Sequence, residues 1–195
     1  MQEKESQLIS PHGGYRKLKT FQLAQTIFDL NMFFCDKWIK SWKLREQMTG
    51  ASRSGKQNIV EGSQDSGTSK KIEIKLTGTS RGSFEELLQD YEDFLAEKRL
   101  SQWKKDDQRA LEVRAMRFSG RLDSSDWSAL SERGFLDDPE KFVNLMICLI
   151  HQENFLLDRQ LLTLERELLE KGGFTENLYK KRIAFRNKQN VLQKP

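Results

Sequence analysis

Histidine, cysteine and proline are scarce in this chain of 195 residues, which holds two, two and three of them. The only histidines are His12 and His151, and three residues before them stand Ile9 and Cys148, not glutamates. The Glu-x-x-His pairs of a di-iron centre in a helical bundle therefore cannot be assembled. Neither cysteine has a histidine placed by a recognisable nucleophile motif. Cys35 and Cys148 lie in the apolar stretches MFFCDKW and LMICLIH, as small buried hydrophobes of a reducing compartment do, rather than as a disulfide. No apolar run approaches the roughly 18 residues of a membrane span; the longest, Leu145 to Ile150, is a buried segment. The opening MQEKESQLISPHGG has no apolar signal-peptide core, so the expected location is the cytoplasm.

What is present is a mixture of 36% hydrophobic and 32% charged residues, enough for one folded domain with a proper core. The net charge of +4 is unevenly spread. From Phe174 to Pro195, Lys180, Lys181, Arg182, Arg186, Lys188 and Lys194 face the single acid Glu176, a net +5 that leaves −1 for the rest of the chain.

With so little proline, helices run long. After Pro11 to Gly14, the residues Leu18, Phe21, Ala24, Phe28, Cys35, Trp38 and Trp42 recur at helical steps. A second stripe, Leu23, Ile27, Leu30 and Phe34, makes the apolar arc too wide for one neighbour. This first helix is either central or packed against another subunit. A second helix spans about Leu44 to Val60, with Met48, Ala51, Gly55 and Ile59 inward and Gly62 to Gly67 ending it. A third starts near Thr68 or Ser69 as cap and carries Ile72, Leu76, Leu87, Tyr91 and Phe94 inward. Its small residues Thr77 to Ser83 would lie against those of the second helix. Two short helices separated by Gly120 fit residues 100–138. Asp138 and Pro139 then read as N-cap and first helical position of the strongest helix, stopped at Lys171-Gly172-Gly173. Thr175 caps a final basic helix from Glu176 to about Asn190. The short IEIKLTG run fits a helical period as well as a strand period. The expected fold is all-α: an antiparallel helical bundle over 15–170, with a flexible leader at 1–14, a helical insertion at about 100–138 and a basic C-terminal helix at 171–195.

GASRSGKQ, Gly50 to Gln57, is one residue short of a phosphate-binding loop, G-x-x-x-x-G-K followed by Ser or Thr. Such a loop must leave a buried strand so that its amides converge on the phosphates. Here the preceding WKLREQM reads as helix, and Gln57 lacks the hydroxyl that would hold magnesium. The stretch is expected to be helical, and no catalytic constellation or cofactor site emerges. The remaining signal is basic: Arg45, Arg53 and Lys56 on helix two, Lys70, Lys71 and Lys75 at the start of helix three, and Lys180, Lys181, Arg182 and Arg186 in the tail. Rows of this kind bind phosphate-rich polymers by releasing condensed counterions. Solvated faces are the other reading, because acids from Glu61 to Asp93 stand close in sequence.

Asn58-Ile59-Val60-Glu61-Gly62, followed by Arg81-Gly82-Ser83-Phe84-Glu85-Glu86-Leu87, resembles the paired NIAEG and ARGSLxEL signatures of a family of bacterial four-helix-bundle proteins. That family includes proteins encoded in intervening sequences of large-subunit ribosomal RNA genes and the accessory variability proteins of diversity-generating retroelements. With Tyr15-Arg16-Lys17-Leu18 the resemblance covers about 15–100, and the helix from Glu140 supplies the fourth rod. The stretch from Ile147 to Glu176 is similar to the variant with a C-terminal suffix domain. The resemblance implies an antiparallel four-helix bundle, a homopentameric barrel, no catalysis and, in the retroelement members, a basic surface that binds nucleic acid and a reverse transcriptase. Two departures are plain: Gly55-Lys56-Gln57 replaces a more usual apolar, proline-containing turn, and the insertion at 100–138 has no counterpart in short members. A protein-protein scaffold without nucleic-acid contact is the alternative function.

Overall fold

The computed structural model describes residues 13–192, and all regular structure among them is helical. His12 and Lys194 lie outside the described residues. After a short 3-10 turn at Tyr15–Lys17 come α1 (Lys19–Trp38), α2 (Trp42–Asp65), α3 (Lys70–Lys98), α4 (Gln108–Ala115), α5 (Ser124–Glu132), α6 (Pro139–Lys171) and α7 (Phe174–Leu192). Helices α1, α2, α3 and α6 form an antiparallel bundle, α4 packs on α6, and α7 shares no extensive packing with another helix. No described helix is long and apolar enough to cross a membrane.

The starts of the helices are written in side chains that accept free amides. Ser41 Oγ accepts from Leu44 N and Ser69 Oγ from Ile72 N, both at 3.3 Å. Asp123 closes a capping box with Asp126 on α5, and Asp138 accepts from Lys141 N with Pro139 in the first turn of α6. Two expected boundaries move. Helix α2 continues through Gly62 to Asp65, because Gly62 is buried against α3, where a β-carbon would meet Leu76 Cβ at 3.3 Å. Thr175 caps nothing, since α7 already begins at Phe174.

Small residues bring α2 and α3 together as expected. Ser80 Oγ donates to Gly55 O at 2.8 Å, and a methyl group at Gly55 would stand 2.8 Å from the Phe84 ring. Gly55 belongs to the interior of α2, so the whole GASRSGKQ stretch is helical. Elsewhere the core is aromatic: Phe34 of α1 meets Tyr91 and Phe94 of α3 and Phe142 of α6 with ring centres 4.9–5.8 Å apart. A buried polar knot sits beside it. Asn31 donates to Met48 O and Ser52 Oγ and accepts from Tyr91 OH at 2.8 Å, so every partner is satisfied.

The wide arc of α1 is covered within the chain. Thr26 donates to Gly120 O at 2.7 Å, Leu122 N donates to Asp29, and Trp127 of α5 packs on Phe33 with centres 5.4 Å apart. The 100–138 insertion is therefore a lid over α1, which makes that helix central. Two expected core residues differ. Trp42 is 73% exposed because it opens α2 instead of closing α1, and Ile72 is 43% exposed on the first turn of α3. His151, on α6, is exposed. Both cysteines are buried and free, and burial pushes the Cys35 thiol up to about 12.

Candidate nucleic-acid interface

The cations expected to contact phosphate divide into three groups. On α2, Arg45 is held in place: it donates to Asp36 Oδ1 at 2.8 Å and to Cys35 O at 2.7 Å. Lys56 lies 3.8 Å over the Phe28 ring and donates to Gln25 Oε1 at 3.3 Å. Its ammonium is held below the usual lysine value, chiefly by burial, with Asp29 opposing and Arg121 and Arg53 adding repulsion. Arg53 and Lys56 are thus joined by Arg121, a residue of the insertion that sequence spacing alone could not bring there.

On α3, Lys70 is also tied down, 2.7 Å from Glu73 Oε2 and 3.3 Å from Glu167 Oε2. Burial works against its charge, but the hydrogen bonds and attraction of the two carboxylates outweigh that and raise its value. Lys71 and Lys75 are exposed. Lys71 shares a cleft of about 410 Å³ with Lys171 and Lys180, so the fold brings the start of α3 beside the start of α7. Glu170 and Glu176 line the same cleft and temper its charge.

The third group is α7 itself, a 19-residue helix about 28 Å long. Every residue from Tyr179 to Asn187 is exposed, including Lys180, Lys181, Arg182 and Arg186, while Phe174 and Leu178 are half-buried near its root. Its single carboxylate, Glu176, stands in the first turn, where it suits the positive end of the helix dipole. Tyr179, Arg182, Ile183 and Arg186 follow at i, i+3, i+4 and i+7 and so share one face. Lys181 and Phe185 form a second pair at i, i+4. Tyr179 is 65% and Phe185 63% exposed. Large apolar groups left in water between cations are what sequence counting of charges missed, although the spacing was there to be seen. Guanidinium and ammonium groups supply phosphate contacts, and open aromatic faces supply surfaces on which unpaired bases stack.

Of the ten residues expected at this surface, Arg45 and Lys70 are committed to carboxylates within the bundle, Lys56 is half-buried, and the other seven are exposed. Among the described residues no group of three or more His, Cys, Asp or Glu side chains is placed to hold a metal ion. Compared with models of protein families, with curated proteins and with solved structures, the chain finds no match.

Proposed function

We propose that this protein binds nucleic acid through α7 and the neighbouring edge of α3, without catalysing a reaction. The observation that supports the reading is that α7 combines exposed cations with exposed aromatic rings and has no carboxylate beyond its first turn. Binding of this kind is backbone-directed and sequence-tolerant, with bases held by stacking. Lys71, Lys75, Lys180, Lys181, Arg182 and Arg186 are its main contacts, and the cluster of Arg53, Lys56 and Arg121 is a subsidiary one. A homo-oligomer, a pentamer by the family resemblance, would present several copies of α7 to one strand and multiply the affinity. An accessory role beside a nucleic-acid enzyme such as a reverse transcriptase belongs to the same proposal.

The test is retention of labelled RNA and DNA by the full chain as salt rises from about 50 to 200 mM. Retention at low salt that weakens steeply is the expected result. No retention at low salt removes the proposal. A scaffold function is the second reading, favoured by Phe155, Leu162 and Leu169, which stand exposed at seven-residue intervals along α6. Isolation of a protein partner that survives nuclease treatment, from a chain that retains no nucleic acid, would favour it.

A further inference from the structure

The insertion does more than cover α1. Its first half, with the N-terminal part of α1 and the middle of α6, encloses a groove of about 1050 Å³. The walls are apolar: Leu23, Met116, Phe118, Ile147, Phe155 and Leu156. Phe155 is 63% exposed, although it stands beside a cavity of apolar neighbours. Around these walls stand Lys19, Lys105, Arg114, Arg117 and His151, and no carboxylate lines the groove. None of the four Lys and Arg residues forms an ion pair with a described carboxylate. The nearby Asp107 is already engaged by Arg109 at 2.7 Å. Lys70 and Arg81 of the bundle, by contrast, are each balanced by two carboxylates.

An apolar cavity edged by uncompensated positive charge suits a ligand with a hydrocarbon body and an anionic head. The volume is just above the usual range for small-molecule clefts, about 300–1,000 Å³. A helix about 10 Å across would fill it in about nine residues, fewer than a helix needs to hold its shape alone. The groove is poorly equipped to read a base edge. The amides of Gln22 and Gln152 already donate to Arg16 O at 3.1 Å and to Arg114 O at 3.2 Å. Arg114 in turn donates to Lys105 O at 2.8 Å, which fixes its guanidinium at the groove's edge.

We propose that this groove binds an amphipathic organic anion, a hydrocarbon chain ending in a carboxylate, with its body against Ile147, Phe155 and Met116 and its head at Lys105, Arg114 and Arg117. The site is separate from α7, and the inference does not depend on nucleic-acid binding. Cys148 is part of the wall, but burial raises its thiol above the usual value, so binding is non-covalent.

The probe is 12-bromododecanoate, whose bromine quenches tryptophan fluorescence on contact, and Trp103 lines the groove. Saturable quenching is expected, displaced by dodecanoate and not by dodecyltrimethylammonium, and lost in Trp103→Phe. Replacing Lys105 and Arg117 together by Gln should weaken binding about tenfold or more, as expected for two charge-assisted contacts. Should that double variant fail to fold, Phe155→Glu, a change at an exposed position, should abolish quenching by placing a carboxylate at the mouth. Equal binding of the cationic chain, quenching that persists in Trp103→Phe, or undiminished affinity in Phe155→Glu would overturn the proposal. So would displacement of the probe by an acidic amphipathic peptide but not by dodecanoate.

Discussion

The α2–α3 contact and α7 are built from opposite materials. Where α2 meets α3, glycine and serine remove bulk until one backbone carbonyl accepts a hydroxyl from the facing helix, as Gly55 does from Ser80. In α7, long cationic and aromatic side chains stand exposed, and the helix shares no extensive packing with another helix. The first arrangement spends helix propensity on close packing, at about 1 kcal/mol for each glycine. The second leaves apolar surface uncovered, which is favourable only if something else covers it. If α7 is the binding element proposed above, stability and binding occupy separate parts of the molecule and should respond to separate substitutions.

The largest expected effect is on binding. Reversing charge in α7 with Lys180→Glu, Arg182→Glu and Arg186→Glu should lower affinity for RNA by about a thousandfold at 50 mM salt, as several phosphate contacts are lost, while the melting temperature stays unchanged. Filter retention and thermal melting on the same preparation check both halves. A shared loss of stability would break the separation.

Glu153 supplies the next test, within the bundle. It is fully buried, and neither carboxylate oxygen has a hydrogen-bond partner among the described residues. Burial drives its carboxyl well above the usual range. The folded chain therefore keeps a proton that the unfolded chain releases near pH 4.3, and stability falls as pH rises through that value and on toward the folded one. Glu153→Leu should stabilise the fold by about 1–3 kcal/mol at neutral pH and flatten the decline in chemical denaturation measured from pH 4 to 8. Nucleic-acid affinity should not move.

Two glycines of one motif sharpen the comparison further. At Gly55 a methyl group would collide with the fully buried Phe84, so Gly55→Ala should cost about 1–2 kcal/mol after the gain in helix propensity. At Gly50 nothing lies within 4 Å, so Gly50→Ala should stabilise by up to about 1 kcal/mol. Urea denaturation of the two variants reads the opposite signs directly. The same sign for both would mean that the close approach of α2 and α3 is not as described.

Much of the fold was legible in the chain because its determinants are local. Asp138-Pro139 and Ser69 announce their helices through capping chemistry that needs no tertiary partner. The end of α3 was not legible, since Arg99 takes the left-handed conformation, at φ 56°, that a glycine would have signalled. The span of α2 is obscured for the converse reason: Gly62 looks like a stop but serves as a contact. For the site, charge counting found α7 and could not know that Asp36, Glu73 and Glu167 neutralise Arg45 and Lys70. Pairing between residues far apart in the chain, as between Lys70 and Glu167 or, across 94 residues, between Thr26 and Gly120, is set by packing and leaves no local trace. Arg121 joined Lys56 by that route, and the groove over α1 arose from it as well.

The most direct measurement is the slope of the logarithm of the RNA binding constant against the logarithm of salt concentration. It should be compared between the native chain and one with Lys180, Lys181, Arg182 and Arg186 replaced by Gln. If α7 carries the interface, the native slope is about −3 or steeper and flattens by about three in the substituted chain, with each cation releasing close to one counterion. A slope that is the same in both chains would contradict the assignment.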